Sequence, residues 1–288
     1  MKELTIISGK GGTGKTSIVG SFASLAKNFV LADADVDAAD LHLIIAPTIR
    51  NRNDFMGGHK AIIDLNRCTQ CGECLERCQY DAINDFTIDT IACEGCGVCV
   101  HFCPSDAIDF PQRKCGDWFI SSTAYGPMVH ARLGIAEENS GLLVSTVRKA
   151  ARDLAESENR DLVIADGPPG IGCPVIASIT GATAILIITE PTLSGMHDLK
   201  RVAELAKFLK VPGMLCINKC DLNNDMSEQL FKTASEYQLT AVGKVPYDPS
   251  VTKAMVSGKS PIDFSDGPAS QAIRQVWENV SNFLDSHE

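Results

Sequence analysis

Two runs of cysteines in the middle of the chain constrain its fold more than any other feature. The first run is Cys68, Cys71, Cys74 and Cys78, and the second is Cys93, Cys96, Cys99 and Cys103. Both follow C-x2-C-x2-C-x3-C, the spacing that holds two [4Fe–4S] clusters, and the fourth cysteine of each run ligates the cluster of the other run. The predicted ligand sets are therefore Cys68, Cys71, Cys74 and Cys103 for one cluster, and Cys93, Cys96, Cys99 and Cys78 for the other.

A zinc site and a disulfide framework are the alternatives for these cysteines. Structural zinc sites usually combine separate C-x2-C pairs, and disulfides need an oxidising compartment. The N-terminus leads directly into the apolar segment 4–7 without a signal-peptide pattern. No apolar run is long enough to span a bilayer. We therefore expect a cytoplasmic protein without a membrane partner, whose cysteines bind metal.

The charge of the chain limits its partners. The formal net charge is −10 over 288 residues, which argues against a nucleic-acid-binding surface. Within the segment 60–110, three residues are basic and nine are acidic. Such an acidic segment suits a basic redox protein as a docking partner. The alternative is that the charge only keeps a small domain soluble.

Outside the cysteine segment, short apolar strands alternate with helical segments. Strands are predicted at 4–7, 29–32, 162–165, 184–189, 214–218 and 241–246, with a hairpin over 117–133. Helices are predicted at 15–27, 144–157, 193–209, 227–237 and 269–284. The alternation predicts an α/β fold with a doubly wound, mainly parallel sheet that is covered on both faces. We expect a larger domain over 1–57 and 112–288, and a smaller α+β domain inserted over 58–111.

A glycine-rich loop lies between the first strand and the first helix. The residues from Gly9 to Thr16 match G-x-x-x-x-G-K-[ST]. In such a loop the backbone amides surround phosphate oxygens, and the following helix presents its positive end to them. Lys15 is predicted to bind the β- and γ-phosphates, and the Thr16 hydroxyl is predicted to bind Mg²⁺. The remaining loop residues expected to contact ATP or ADP are Gly9, Gly11, Gly12, Thr13 and Gly14.

Two segments resemble known families. Lys10 resembles the extra lysine of the deviant P-loop in the MinD/ParA/Mrp and nitrogenase iron protein class. The segment 60–110 resembles bacterial two-cluster ferredoxins. Together they make the chain similar to MinD-superfamily P-loop ATPases that contain an inserted ferredoxin domain. The resemblance implies that ATP binding joins two subunits and that Lys10 reaches the partner's nucleotide, whereas the alternative is a solvated loop lysine. The second subunit would be another copy or a paralogous ATPase.

The resemblance also implies roles for three carboxylates. The segment 32–37 is similar to switch I, and 162–170 is similar to a Walker B strand that continues into switch II. Asp166 is expected to hold Mg²⁺ through water, because Mg²⁺ prefers oxygen ligands. Asp35 is expected to orient the attacking water, with support from Asp33.

The nucleotide's other contacts are also implied by the resemblance. Gly170 lies in the segment similar to switch II. Asn218 follows a predicted strand and is similar to the base-contacting residue of these ATPases, although a plain turn is the alternative there. The segment that begins at Pro246 is similar to the one that lines the other side of the base in these ATPases.

Four cysteines lie outside the two runs. Cys173 follows Asp166 by seven residues, the offset at which the nitrogenase iron protein carries a ligand of a cluster shared between subunits. That class needs a second ligand, so a small packed thiol is the preferred interpretation. Cys216 and Cys220 are spaced C-x3-C, whereas Mrp-type scaffold proteins carry C-x2-C, so both are expected to pack. The fourth is Cys115.

The predicted function is an ATPase in which nucleotide-driven dimerisation gates electron transfer through two [4Fe–4S] clusters, to or from an unidentified redox protein. One alternative is a MinD/ParA-like positioning or redox-sensing regulator. Another is an iron–sulfur carrier or assembly ATPase, which needs a labile bridging site, and only Cys173 suggests one. Fully ligated clusters are durable, which favours the first two interpretations over the carrier.

Overall fold

The structure is a computed structural model that describes residues 1–134 and 140–286. The chain divides into two compact units. The larger unit contains Met1–Asn53, Trp118–Arg132 and the chain from Ser140 onward. The smaller unit contains Asp54–Asp117 and a short segment that begins at Leu133.

Strands are numbered in chain order. They are β1 Lys2–Ser8, β2 Phe29–Asp33, β3 Thr48–His59, β4 Ile62–Ile63, β5 Ile83–Asn84, β6 Thr87–Ile88, β7 Ile108–Asp109, β8 Gln112–Ser122, β9 Pro127–Leu133, β10 Leu162–Pro169, β11 Ala184–Thr189, β12 Gly213–Asn218 and β13 Thr240–Val245.

Helices are numbered in the same way. They are α1 Lys15–Leu25, α2 Leu41–Ile45, α3 Glu73–Arg77, α4 Val98–His101, α5 Ser140–Ser157, α6 Cys173–Ile179, α7 Leu193–Phe208, α8 Asn224–Glu236, α9 Pro249–Val256, α10 Pro261–Phe264 and α11 Pro268–Asp285, with one 3-10 turn at Cys220–Leu222. None of the helices in the described part of the chain has both the length and the apolar character needed to cross a membrane.

A nine-stranded sheet organises the larger unit, in the order β13-β12-β11-β1-β10-β2-β9-β8-β3. Every pairing from β13 to β9 is parallel. β11, β12 and β13 lie in chain order on one side of β1, and β2 lies on the other side with β10 between them. The chain is thus wound in both directions from β1, which is the doubly wound arrangement predicted from the sequence. The α/β class and the mainly parallel sheet are therefore confirmed.

Alternate residues of the central strands enter two separate cores. On β11, Leu186 and Ile188 join the core that contains α1 and α11, whereas Ile185 and Ile187 join the core that contains α7 and α8. Successive side chains of a strand point to opposite faces of the sheet. The sheet is therefore buried on both faces, which explains why these strands are continuously apolar in the sequence.

The strand β3 has no counterpart in the sequence prediction. Its first residues, Thr48–Asn53, are half-buried or exposed, and several of them are polar or charged. The strand lies at the edge of the sheet, where charged side chains are common and an apolar pattern is not required. The apolar criterion that identified the central strands therefore failed at this edge.

The smaller unit contains two short antiparallel strand pairs and two single-turn helices. The strand β4 pairs with β7, and β5 pairs with β6. The helices α3 and α4 each begin directly after a glycine with positive φ, Gly72 and Gly97. The apolar core of this unit is small: its buried members are Ala61, Cys74, Ile83 and Ile108.

A buried ion pair joins β1 to the helical layer of the larger unit. The Glu3 carboxylate accepts hydrogen bonds from Arg148 Nε and Arg152 Nε, each at 2.5 Å. The side chains of Glu3 and Arg148 are 4% and 5% exposed, so little water screens their charges. Breaking one partner of such a pair costs about 3–5 kcal/mol, because the other charge stays buried without compensation.

We expect Glu3→Leu to lower the free energy of unfolding by about 3 kcal/mol or more, since it strands the Arg148 guanidinium. The double variant Glu3→Leu/Arg148→Met should recover most of this loss. Urea unfolding followed by far-ultraviolet circular dichroism measures both. Arg274→Met is the control, because it breaks a largely exposed pair with Asp266 and should cost about 1 kcal/mol or less. Equal losses in Glu3→Leu and the control would show that the Glu3–Arg148 pair contributes no more than an exposed ion pair.

Candidate functional site

The predicted phosphate, carboxylate and base residues lie near or just after the carboxyl ends of parallel strands in the larger unit. The loop from Gly9 to Gly14 follows β1, Asp35 follows β2, and Asn218 ends β12. Asp33 at the end of β2 is in register with Asp166 of β10. The carboxyl ends of parallel strands meet at one edge of a sheet, which is where α/β proteins bind ligands. We call this the nucleotide edge.

The glycine-rich loop has a backbone that only glycine accommodates at two positions. Gly14 has φ 88°, and a Cβ there would lie 2.3 Å from the Asn218 amide nitrogen. A Cβ on Gly9 would lie 2.1 Å from the Cβ of Asp198. Gly11 and Gly12 are exposed, and α1 begins directly after Gly14 with no side chain capping its first amides. Free amides and the positive end of the helix make this loop suited to an anion.

Lys15 lies among three carboxylates at the start of α1. Its ammonium forms ion pairs with Asp166 and, at 3.4 Å, with Asp35. Burial acts to lower the pKa of Lys15, but the charge of Asp166 and those of the other carboxylates outweigh it, so the pKa is raised. The lysine is therefore held charged next to the position where the loop would bind phosphate.

Asp33 is the most constrained of the carboxylates. It is 1% exposed, its Oδ1 accepts the Asp35 amide at 3.3 Å, and its Oδ2 has no hydrogen-bond partner within the described residues. Burial raises the pKa of Asp33 well above its usual range, and the neighbouring charge of Asp166 adds to the effect. Burial also raises the pKa of Asp35, although the Lys15 charge opposes it.

This charge balance fits a divalent cation. Three carboxylates surround one ammonium, so the cluster lacks positive charge, and one buried carboxylate oxygen is unpaired. Mg²⁺ is usually held by one or two carboxylates together with water and substrate phosphates. Thr16 is half-buried in the first turn of α1, and the Thr13 hydroxyl is buried without a partner among the described side chains. The residues present therefore fit Mg²⁺ and a nucleotide.

The residues predicted to contact the base are also tied to the loop. Asn218 Nδ2 donates to the Thr13 carbonyl at 2.7 Å. Pro246 is half-buried after β13, and the next amide, that of Tyr247, donates to Asp221 Oδ1 at 2.7 Å. The segments after β12 and β13 are thus held together. Gly170, with φ 94°, donates its amide to the Ser8 carbonyl at 2.9 Å.

Lys10 has specific partners in its own subunit. Its ammonium lies 2.6 Å from Glu190 Oε1 and 2.9 Å from the Ser194 hydroxyl. Glu190 Oε2 also binds Lys219 at 3.1 Å. The sequence analysis missed the roles of Glu190, Ser194 and Lys219. Glu190 directly follows β11, a strand that the sequence predicts. Its position at the nucleotide edge could therefore have been inferred from the sequence.

The smaller unit encloses two cavities lined by cysteines. The cysteines that line the first are Cys68, Cys71, Cys74 and Cys103. The cysteines that line the second are Cys78, Cys93, Cys96 and Cys99. Each cavity thus combines three cysteines of one run with the fourth cysteine of the other, the grouping that the spacing predicts.

The cysteines surround volumes instead of converging on points. Among the described residues, no group of three or more His, Cys, Asp or Glu side chains is placed to hold one metal ion. The backbone amides of Ala82 and Ala107 donate to the sulfurs of Cys78 and Cys103 at 3.4 and 3.3 Å, as suits thiolate ligands.

The four other cysteines differ from one another in exposure. Cys216 is fully buried in β12, which agrees with the packing interpretation, and burial raises the pKa of its thiol to about 12. Cys220 is partly buried against the core that contains α7 and α8. Cys115 is buried. The packed-thiol interpretation of Cys173 is wrong: this cysteine is exposed in the first turn of α6, because the helix buries the face that carries Val175, Ser178 and Ile179, and Cys173 lies on the opposite side.

Comparison with known proteins supports the assignment of the nucleotide edge. The model of the CobQ/CobB/MinD/ParA nucleotide binding domain matches residues 4–262. An uncharacterized protein of Methanocaldococcus jannaschii, MJ0578, is 33% identical over 98% of this chain and 97% of its own. An iron-sulfur cluster carrier protein of Pyrococcus abyssi is 24% identical over 50% of this chain and 53% of its own.

A solved structure shows the same fold. The septum site-determining protein MinD of Pyrococcus horikoshii, in complex with Mg-ADP, matches with a TM-score of 0.60 and 14% identity. The match covers 100% of this chain and 98% of that one. At this identity the likeness concerns the fold alone. The family is shown by the match over residues 4–262 and by the full-length relative: this chain belongs to the CobQ/CobB/MinD/ParA family of nucleotide-binding proteins.

Proposed function

We propose that this protein hydrolyses ATP and that ATP-driven dimerisation gates electron transfer through two [4Fe–4S] clusters. One observation carries the proposal: a chain with the nucleotide edge of a MinD/ParA ATPase also has two cavities, each lined by four cysteines from both runs. The cytoplasm, where thiols stay reduced, is the compartment that suits these cysteines.

At the nucleotide edge, each residue has a definite task. The loop amides and Lys15 bind the phosphates, and Lys15 exchanges carboxylate partners for phosphate oxygens as ATP enters. Asp166 and Thr16 hold Mg²⁺, which supplies charge neutralisation at the phosphates. Asp35 is buried but more accessible than Asp33, at 8% against 1% exposure, so it is the carboxylate placed to accept a hydrogen bond from the attacking water. The fully buried Asp33 supports Asp35 by accepting its amide.

In the smaller unit, the cysteines hold the redox centres. Cys68, Cys71, Cys74 and Cys103 form one set, and Cys78, Cys93, Cys96 and Cys99 form the other. The bound clusters supply one-electron chemistry. The acidic charge of this segment favours a basic redox protein as the donor or acceptor, because complementary charge speeds encounter. The smaller unit begins at Asp54, and only α2 and the first residues of β3 separate it in the chain from the segment similar to switch I. Switch loops change conformation when the γ-phosphate is lost.

An iron–sulfur carrier is the second candidate function. The exposure of Cys173 favours it, because a ligand shared between subunits must reach the surface. The partial match to an iron-sulfur cluster carrier protein points in the same direction. A labile cluster beyond the two durable ones, lost in Cys173→Ser, would distinguish the carrier from the electron-transfer ATPase.

We expect anaerobically purified protein to contain about eight iron atoms per chain, since each cavity takes one four-iron cluster. The crossed ligand sets make a sharper prediction: Cys71→Ser and Cys103→Ser should alter the same electron paramagnetic resonance signal, although they lie in different runs. Cys96→Ser should alter the other signal. Cys220→Ser, a partly buried cysteine outside both cavities, is the control and should alter neither. Stoichiometric zinc with little iron would contradict the proposal.

Substitutions of the two loop lysines should affect ATP binding and ATP-dependent dimerisation separately. Lys15→Ala should weaken ATP binding by about tenfold to a hundredfold, because a buried charge-assisted contact of about 1.5–3 kcal/mol is lost. Lys10→Ala should bind ATP nearly as well but neither dimerise nor hydrolyse it. Fluorescent-nucleotide titration, sedimentation velocity and phosphate release measure the three steps. ATP-dependent dimers of Lys10→Ala would show that Lys10 does not act across the interface.

A further inference from the structure

The contacts of Lys10 suggest a control on assembly. Glu190 bridges two lysines with its two oxygens: Oε1 lies 2.6 Å from the Lys10 ammonium, and Oε2 lies 3.1 Å from the Lys219 ammonium. The Glu190 side chain is only 14% exposed, whereas Lys10 is 34% exposed. The carboxylate is therefore the fixed member of the pair, and Lys10 is the member that water and a ligand can reach.

The backbone holds Glu190 in place. Directly after β11, the Thr192 hydroxyl caps α7 by accepting the Gly195 amide at 3.0 Å. Gly195 has no Cβ, and a Cβ there would lie 2.3 Å from the Glu190 carbonyl oxygen. This tight turn fixes the residue that carries the carboxylate. Ser194 belongs to the same turn, and its hydroxyl lies 2.9 Å from the Lys10 ammonium.

Lys219 fastens the other side of Glu190 to the phosphate loop. Its ammonium donates to the Gly12 carbonyl at 3.0 Å as well as to Glu190. If Lys10 leaves, Glu190 still has a cationic partner and is not left buried without a counter-ion. When Lys10 leaves, only the Lys10–Glu190 ion pair is lost, and the Glu190 charge stays compensated by Lys219. The contact can therefore form and break reversibly.

We propose that Glu190 is a latch that keeps Lys10 inside its own subunit until ATP is bound, and that this latch sets the ATP concentration at which two subunits join. The proposal rests on the proposed function in its second half, since it assumes that Lys10 crosses to a partner. In the nucleotide-free subunit, the Lys10 ammonium is paired with Glu190 and held at the first turn of its own α7. The negative charge of two nucleotides in a dimer competes with Glu190 for the ammonium, and Lys10 moves to the stronger anion.

Glu190 could instead serve only to pair Lys219 and shape the turn before α7. In that case its charge would not influence Lys10, and removing the charge would leave the reactivity of Lys10 and the assembly of the protein unchanged. The two interpretations therefore differ in measurable ways.

The first test measures Lys10 directly in the full-length, cluster-containing, nucleotide-free protein. Limited labelling with an N-hydroxysuccinimide ester, followed by peptide mass spectrometry, gives the labelling rate of each lysine. Glu190→Gln should raise the rate at Lys10 by about threefold or more, as loss of an ion pair of this exposure implies. Ser194→Ala should raise it less. Glu228→Gln is the matched control: it breaks a 2.6 Å pair with Lys244 and should raise labelling at Lys244 alone. An unchanged rate at Lys10 in Glu190→Gln would overturn the latch.

The second test measures assembly. Sedimentation velocity against a non-hydrolysable ATP analogue should show that Glu190→Gln dimerises at a concentration about threefold or more below that of the wild type, and Ser194→Ala should shift in the same direction. An unchanged midpoint, or a midpoint at higher concentration, would overturn the latch. If the wild type forms no dimer at saturating analogue, the proposed function itself fails, and the labelling experiment still decides whether Glu190 restrains Lys10.

Discussion

The candidate site of the larger unit depends on one interaction, the pairing of the Lys15 ammonium with the carboxylates around it. Lys15 is paired with Asp166 and Asp35 while the buried Asp33 lies beside them. The arrangement satisfies the lysine but leaves excess negative charge, which suits the binding of a divalent cation. The tight loop before α1, the register between β2 and β10, and the ties from Asn218 all serve to hold this cluster at one edge of the sheet.

Much of the fold could be predicted because its central strands are buried on both faces. Such strands are short apolar runs, and β11 has the limits that the sequence predicts. β3 could not be found in this way, because its polar side chains lie at the sheet edge and carry no apolar pattern. Strand order also required the structure, since local periodicity contains no information about which strands become neighbours.

The site was predictable wherever spacing alone determines chemistry. The phosphate loop and the cysteine runs are local patterns, and the structure brings their residues together as the patterns imply. Glu190 belongs to no local motif, and the contacts of Glu190 with Lys10 and of Lys219 with Gly12 join parts of the chain far apart in sequence. Cys173 shows the opposite error: a small thiol suggests packing, but its exposure depends on how α6 is oriented.

The polar edge strand has a consequence for how the protein behaves at high concentration. An open sheet leaves unpaired backbone groups at its margin, and a flat apolar margin would recruit the same margin of another molecule. The outer strand β3 carries charged and amide side chains from Arg50 to Asn53, so desolvating it against a second sheet is unfavourable. The polar side chains that leave β3 without an apolar sequence pattern thus also disfavour edge-to-edge aggregation of this chain.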